Sequence, residues 1–168
     1  MDATELRAAQ APLKEKYRTE PDSALVPVRA SASFADGGLT ATVEGFAGPV
    51  RAGLHPAAGG SEEDACSGDL LLEALLGCAG VTLRTVATAM GVEIRSAHLE
   101  ATGTFDIRGT LGVDRTVPVG VTGIEVTAEV DTDADEATLE KLARSTERYC
   151  VVAQSLAEKP TFVIRRAG

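Results

Sequence analysis

The sequence predicts an α+β fold in which most strands pair antiparallel. Three observations carry this expectation. Helix-period and strand-period segments follow one another in the order helix, three strands, long helix, two strands, helix, strand. The long helix, "GDLLLEALLGCAGVTLRTVATAM" (68–90), is apolar on nearly every face, so it needs cover on all sides. The chain has no tryptophan and only 4% aromatic residues against 44% hydrophobic, so its core must be built from Leu, Val, Ile and Ala.

At 168 residues a single domain is the expectation. The formal charge of −9 argues against nucleic acid or an anionic membrane as a partner. The N-terminal stretch "MDATELRAAQAPLKEKY" is charged throughout and lacks the apolar centre of a secretory leader. No uncharged apolar run reaches the roughly 18 residues of a membrane helix; the longest is "ALLGCAGVTL". A soluble, cytoplasmic protein is therefore expected.

Residues 4–18 read as an amphipathic helix with Leu6, Ala9, Leu13 and Tyr17 at helical spacing. Thr4 is its expected cap, and Pro12 a point where it kinks or splits. Residues 1–22 are taken as a helical extension on a main domain of residues 23–168. In "LVPVRASASF" alternation places Val26, Val28, Ala30 and Ala32 on one face of a strand. "ADGG" predicts a hairpin turn. "LTATVEGF" and "PVRAGLHP" give two more strands around Ala47–Gly48, completing a meander. A loop containing Cys66 leads to the long helix, capped by Ser67 or Asp69 and stopped by Gly91. Residues 92–107 and 122–131 predict an antiparallel pair. Asp133 and Glu136 resemble a capping box for the second strong helix. Its stripe is Leu139, Leu142, Ala143, Thr146 and Cys150. "VVAQSLAEK" continues as a short helix or turn, and "PTFVIRRAG" closes as a strand.

The three cysteines, Cys66, Cys78 and Cys150, are odd in number and form no CxxC, so neither a disulfide framework nor a zinc ribbon is expected. Cys78 lies at the centre of the most apolar helix. It is either a small hydrophobe of the core or a thiol that the helix holds for chemistry. Gly77 and Gly80 beside it each cost about 1 kcal/mol relative to alanine. They predict a close neighbour or a ligand at the backbone. Cys150 continues an apolar stripe, but a new helix starting behind it would favour a thiolate there. Taken together, the two suggest a redox pair, one thiol oxidised to a sulfenic acid and the other condensing with it. Cys66 sits among Glu62, Glu63 and Asp64, which disfavour a thiolate. His55 and His98 read as structural, and no ligand spacing supports a metal site from His55 and the three cysteines.

"LLLEALLGCAGVTLRTVATAMGVEI" resembles the first cysteine helix of the OsmC/Ohr family, the osmotically inducible and organic hydroperoxide resistance proteins. "TERYCVVAQSL" resembles its second cysteine site, and the likeness runs over residues 24–166. The resemblance implies an OsmC-like fold, with antiparallel sheets wrapped around a long central cysteine-bearing helix, in an intertwined homodimer. It implies that Cys78 is the peroxidatic thiol and Cys150 the resolving one. The implied substrates are organic hydroperoxides and the implied reductant a dithiol or lipoyl group, with no cofactor and no metal. The alternative is a non-catalytic OsmC-like protein that binds an apolar small molecule at the dimer interface. The sequence departs from the family pattern at Val151, where a proline is usual, and at Gly68, where the peroxidases carry a glutamate. The family's thiolate-holding arginine matches neither Arg29 nor Arg51 clearly.

Overall fold

The computed structural model describes residues 1–35 and 37–168. The expected "ADGG" turn includes Asp36, which lies outside the described residues.

The first helix, α1, spans Ala3–Thr19. Its cap is Asp2 rather than Thr4, because Asp2 and Glu5 form a reciprocal capping box with each other's backbone N–H groups. Pro12 does not split the helix. No residue of α1 is buried, so the carbonyl that loses its donor can turn to water.

The meander is β1 (Ser31–Ser33), β2 (Thr40–Gly45) and β3 (Gly48–Gly53), joined by antiparallel ladders. The turn between β2 and β3 is Phe46–Ala47, one residue earlier than expected, since Gly45 pairs with Gly48. β1 is shorter than the alternation in residues 25–34 suggested. Val26 and Val28 are 75% and 93% exposed and outside any ladder, and Pro27 between them offers no donor to one. A two-residue strand, β4 (Ala65–Cys66), then pairs parallel with β3.

Helix α2 runs from Ser67 to Met90. Its N-cap is Cys66, without a side-chain hydrogen bond, so neither Ser67 nor Asp69 has the expected role. Gly91 ends it in the left-handed region at φ 70°, which favours glycine. Leu75, Ala79, Leu83 and Ala87, each four residues after the last, form its buried line. An 18-residue window of α2 reaches a mean hydropathy of 1.6, which by length and composition suffices to cross a membrane. The expectation that no segment would do so is corrected: Glu73 and Arg84 interrupt the apolar run but leave its mean high. The buried line marks α2 as the core helix of the fold.

β5 (Ser96–Thr104) and β6 (Thr122–Asp131) pair antiparallel as expected, linked through the short helix α3 (Ile107–Thr110). Ile124, Val126, Ala128 and Val130 alternate along β6 and are all buried. The Ile and Val side chains among them each contribute about 1.5–3 kcal/mol on burial. Helix α4 (Glu136–Tyr149) is capped by Asp135, which accepts from the Thr138 N–H. Asp133 is not the cap, because it and Asp131 are both held by the Arg95 guanidinium. The predicted stripe Leu139, Leu142, Ala143, Thr146 and Cys150 is buried throughout.

After α5 (Val151–Ser155), β7 (Thr161–Arg166) returns parallel to β6. The helical crossover through α4 and α5 permits this, where a tight turn would force an antiparallel return. The described strands thus form two mixed sheets, β1-β2-β3-β4 and β5-β6-β7. α2 and α4 pack on each other, α2 against β5 and α4 against β7.

Candidate active site: two thiols at a helix break

The chain breaks its helix at Cys150. The Cys150 N–H completes α4 by donating to the Thr146 carbonyl at 2.9 Å, and its own carbonyl accepts from the Gln154 N–H at 3.0 Å to open α5. Between these bonds the backbone turns extended, with φ −75° and ψ 107°. A proline at position 151 would impose that conformation on its predecessor; here it is reached with Val151. Gln154 Nε2 donates to the Glu147 carbonyl at 2.9 Å and ties α5 back to the last turn of α4.

This break faces the middle of α2. Cys150 is fully buried in a cluster with Leu75, Ala79, Ile124, Val126 and Ala153, and half-buried Cys78 packs against the same cluster. The two predicted thiols therefore meet, and each alters the other's proton affinity. Burial pushes the Cys78 thiol up. The Val152 N–H, the Cys150 thiol, the Thr82 hydroxyl and the Val151 N–H oppose that and together leave it below the ordinary thiol value. Burial pushes the Cys150 thiol up as well; the Ala153 N–H lowers it, but the neighbouring Cys78 sulfur raises it again, and the net direction is upward. The pair is thus polarised, with Cys78 lowered and Cys150 raised. The former has the character of a nucleophile.

The other sequence candidates lie elsewhere. Cys66 is at the start of α2, twelve residues or about 18 Å of helix from Cys78. His55 caps the following turn through Nδ1, which accepts from the Ala57 N–H at 3.1 Å, and its ring stands edge-on to Phe105 at 5.5 Å. Cys66 and His55 share a cavity of about 360 Å³ with Leu54, Leu71 and Phe105. Arg51, on β3, lies 3.0 Å from a carboxylate oxygen of Asp64, whose side chain is only 6% exposed. The contact is ionic rather than an aligned hydrogen bond. Gly53 makes room for it, since a Cβ there would come within 2.7 Å of the Asp64 side chain. Arg29 is exposed. None of the leading influences on Cys78 is a cation. Arg148 stacks over the Tyr149 ring. Glu73 and Arg84 are both exposed on α2. Among the described residues no group of three His, Cys, Asp or Glu is placed to hold a metal ion.

The glycine expectation is corrected in part. A Cβ on Gly77 would meet nothing within 4 Å, and one on Gly80 would make ordinary contact with Leu99 at 3.9 Å. Within the chain, then, no close neighbour requires either glycine. Sequence reasoning also missed the roles of Thr82 and the Val151 and Val152 N–H groups. Thr82 lies four residues after Cys78, on the same face of the helix, and that spacing is the available signal for it.

A central apolar helix carries one thiol, and a second thiol at a helix break packs into the same cluster, within an α+β fold of two mixed sheets. The chain belongs to the OsmC-like protein family, whose model matches residues 60–165. Solved structures share the fold. An OsmC-like protein of unknown function from Vibrio cholerae is 15% identical, with a TM-score of 0.66, covering 85% of this chain and 100% of its own. An organic hydroperoxide resistance protein from Elizabethkingia anophelis is 13% identical, with a TM-score of 0.66, covering 85% and 98%. The organic hydroperoxide resistance protein OhrB of Bacillus subtilis is 20% identical, with a TM-score of 0.56, covering 86% and 100%. The comparison with curated proteins returns no match.

Proposed function

We propose that this protein is a thiol-dependent peroxidase that reduces organic hydroperoxides in oxidative-stress defence, with Cys78 peroxidatic and Cys150 resolving. The observation that carries this reading is the polarised pair: Cys78 is held below the ordinary thiol value by the Val152 N–H, Cys150 and Thr82, while Cys150 is raised and buried. The names of two of the similar structures supply the substrate class. The Cys78 thiolate attacks one peroxide oxygen, the O–O bond breaks, and the alcohol leaves with a proton. The Cys150 sulfur then attacks the sulfur of the resulting sulfenic acid and breaks its S–O bond. An S–S bond forms, and hydroxide leaves with the proton lost from Cys150 as water. A dithiol or lipoyl-type reductant reopens the disulfide by exchange.

The working unit is a homodimer. No described residue before Leu75 is buried, and Phe34, Leu39 and Phe46 are 82%, 78% and 111% exposed. The uncovered face of α2 carries Glu73, Gly77, Val81 and Arg84. A second copy covers such surfaces, and the glycines then meet a partner rather than their own chain. We assign residues 1–22 to a helical extension and residues 23–168 to the main domain. A cytoplasmic setting keeps all three thiols reduced.

Single-turnover consumption of an organic hydroperoxide tests the reading. Cys78→Ser abolishes it, Cys150→Ser permits one attack and then stalls as an over-oxidising sulfenic acid, and Cys66→Ser behaves as the parent. Should Cys78→Ser consume hydroperoxide like the parent, the non-catalytic reading replaces this one. In that reading an apolar small molecule binds at the dimer interface.

A further inference from the structure

Two threonines of α2 bond the preceding turn through their hydroxyls. Thr85 donates to the Val81 carbonyl at 2.7 Å and Thr88 to the Arg84 carbonyl at 2.8 Å, the usual bond of a helical threonine to the preceding turn. Thr82, one turn after Cys78 on the same face, is one of the groups that lower the Cys78 thiol. Thr146 of α4 does neither. It is 1% exposed, its Oγ1 is buried, and that oxygen has no hydrogen-bond partner among the described residues. A buried hydroxyl left unpaired is costly, and native structures rarely carry one without a reason.

Thr146 lies one turn before Cys150, on the same stripe. Side chains four apart on a helix have Cβ atoms about 5–6 Å from each other. Those of helical residues lean back toward the N-terminus, so the Cys150 sulfur leans over the turn that holds Thr146. The φ of −75° at Cys150 is still helical and keeps its Cβ in that direction. The titratable group facing Cys150 is Cys78, from α2. The two cysteines therefore each have a threonine one turn away, and the Thr146 hydroxyl has no partner among the described residues while both thiols are reduced.

We propose that Thr146 is a positioning residue for the second step of the cycle, its hydroxyl kept free in the reduced protein and donated to the Cys150 sulfur as that sulfur loses its proton to attack the Cys78 sulfenic acid. This rests on the peroxidase reading above. In the closing step the Cys150 S–H bond breaks, the S–S bond forms, and the sulfenic oxygen leaves as water. The hydroxyl of Thr146 stabilises the charge that appears on Cys150 partway and itself loses no proton. The co-reactant is the organic hydroperoxide that oxidised Cys78.

The test is Thr146→Val, which keeps shape and removes the hydroxyl, with Thr146→Ser as the conservative control. The parent and both variants are oxidised with one equivalent of tert-butyl hydroperoxide, quenched at intervals, and scored by mass for Cys78 sulfenic acid and for the Cys78–Cys150 disulfide. Thr146→Val closes the disulfide about tenfold or more slowly, as expected for loss of a hydrogen bond to a charged group, and Thr146→Ser closes at nearly the parent rate. The reduced Thr146→Val protein melts no lower than the parent, because the hydroxyl it loses had no partner. A fall in melting temperature, or closure of Thr146→Val at the parent rate, overturns the role of Thr146 and leaves the peroxidase reading standing. If the parent itself forms no disulfide, the peroxidase reading falls and this role falls with it.

Discussion

The two sheets of this protein bury their side chains on opposite terms. In the second, β6 alternates Ile124, Val126, Ala128 and Val130 into a core shared with α2 and α4. In the first, β2 and β3 carry the same kind of residue, yet no described position there is buried, and Phe46 at the hairpin tip is fully exposed. The part of the chain from α2 onward completes its own core and holds both thiols of the pair. The N-terminal half has apolar surface with nothing in its own chain to cover it. The contrast separates a part of the chain that buries its own core from one whose cover would come from the homodimer proposed above.

The largest expected effect falls on the self-contained half. Leu142→Ala removes a fully buried side chain from the α4 stripe and lowers stability by about 2–5 kcal/mol in chemical denaturation. Phe46→Ser removes an equally apolar side chain from the first sheet. It leaves the fold of a dilute chain intact but weakens self-association, read by sedimentation at falling concentration. A loss of fold from Phe46→Ser comparable to that from Leu142→Ala would erase the contrast.

Much of the second half was legible because its periodicities agree with its burial. The α4 stripe from Leu139 to Cys150 and the strand 122–131 stand where alternation put them. The caps were not legible. Asp133 and Asp135 both precede α4, and only the position of Arg95 decides between them. In the first half, the alternation from Val26 to Ala32 overstated the strand: Val26 and Val28 are exposed outside any ladder, and Pro27 between them offers no donor. The meeting of Cys78 with Cys150 was implied by the family resemblance and not by spacing. The groups that polarise the pair are mostly backbone N–H donors at Val151 and Val152, and a sequence pattern carries no trace of where an N–H points.

A smaller effect sharpens the account of the second half from its acidic side. Arg95 bonds Asp131 and Asp133 and holds both carboxyls below their usual range. A carboxyl with a lowered folded value adds stability above the unfolded value, and that stability is lost as pH falls through the folded one. Arg95→Ala therefore flattens the decline in melting temperature on the acid side, below about pH 4, where unfolded carboxyls titrate. An unchanged acid limb would show that the clamp contributes nothing, as exposed ion pairs often do not.

The smallest effect concerns the helix break. Cys150 already has the extended backbone that a following proline requires, and Val151 is 72% exposed. Val151→Pro should raise stability by about 0.4–1 kcal/mol by restricting the unfolded chain. It removes the weakest of the four influences that hold Cys78 down, so alkylation of Cys78 by iodoacetamide should shift only slightly toward higher pH. Destabilisation by this substitution would mean that the Val151 N–H matters more than the geometry assigns it.

The measurement that reaches the central claim most directly is peptide mapping of the full-length protein after one equivalent of an organic hydroperoxide, with free thiols blocked before digestion. The account predicts a single new cross-linked species joining the Cys78 and Cys150 peptides, with Cys66 recovered as the blocked thiol. Recovery of Cys78 and Cys150 as unlinked, blocked thiols, or a disulfide that runs through Cys66 instead, would contradict it.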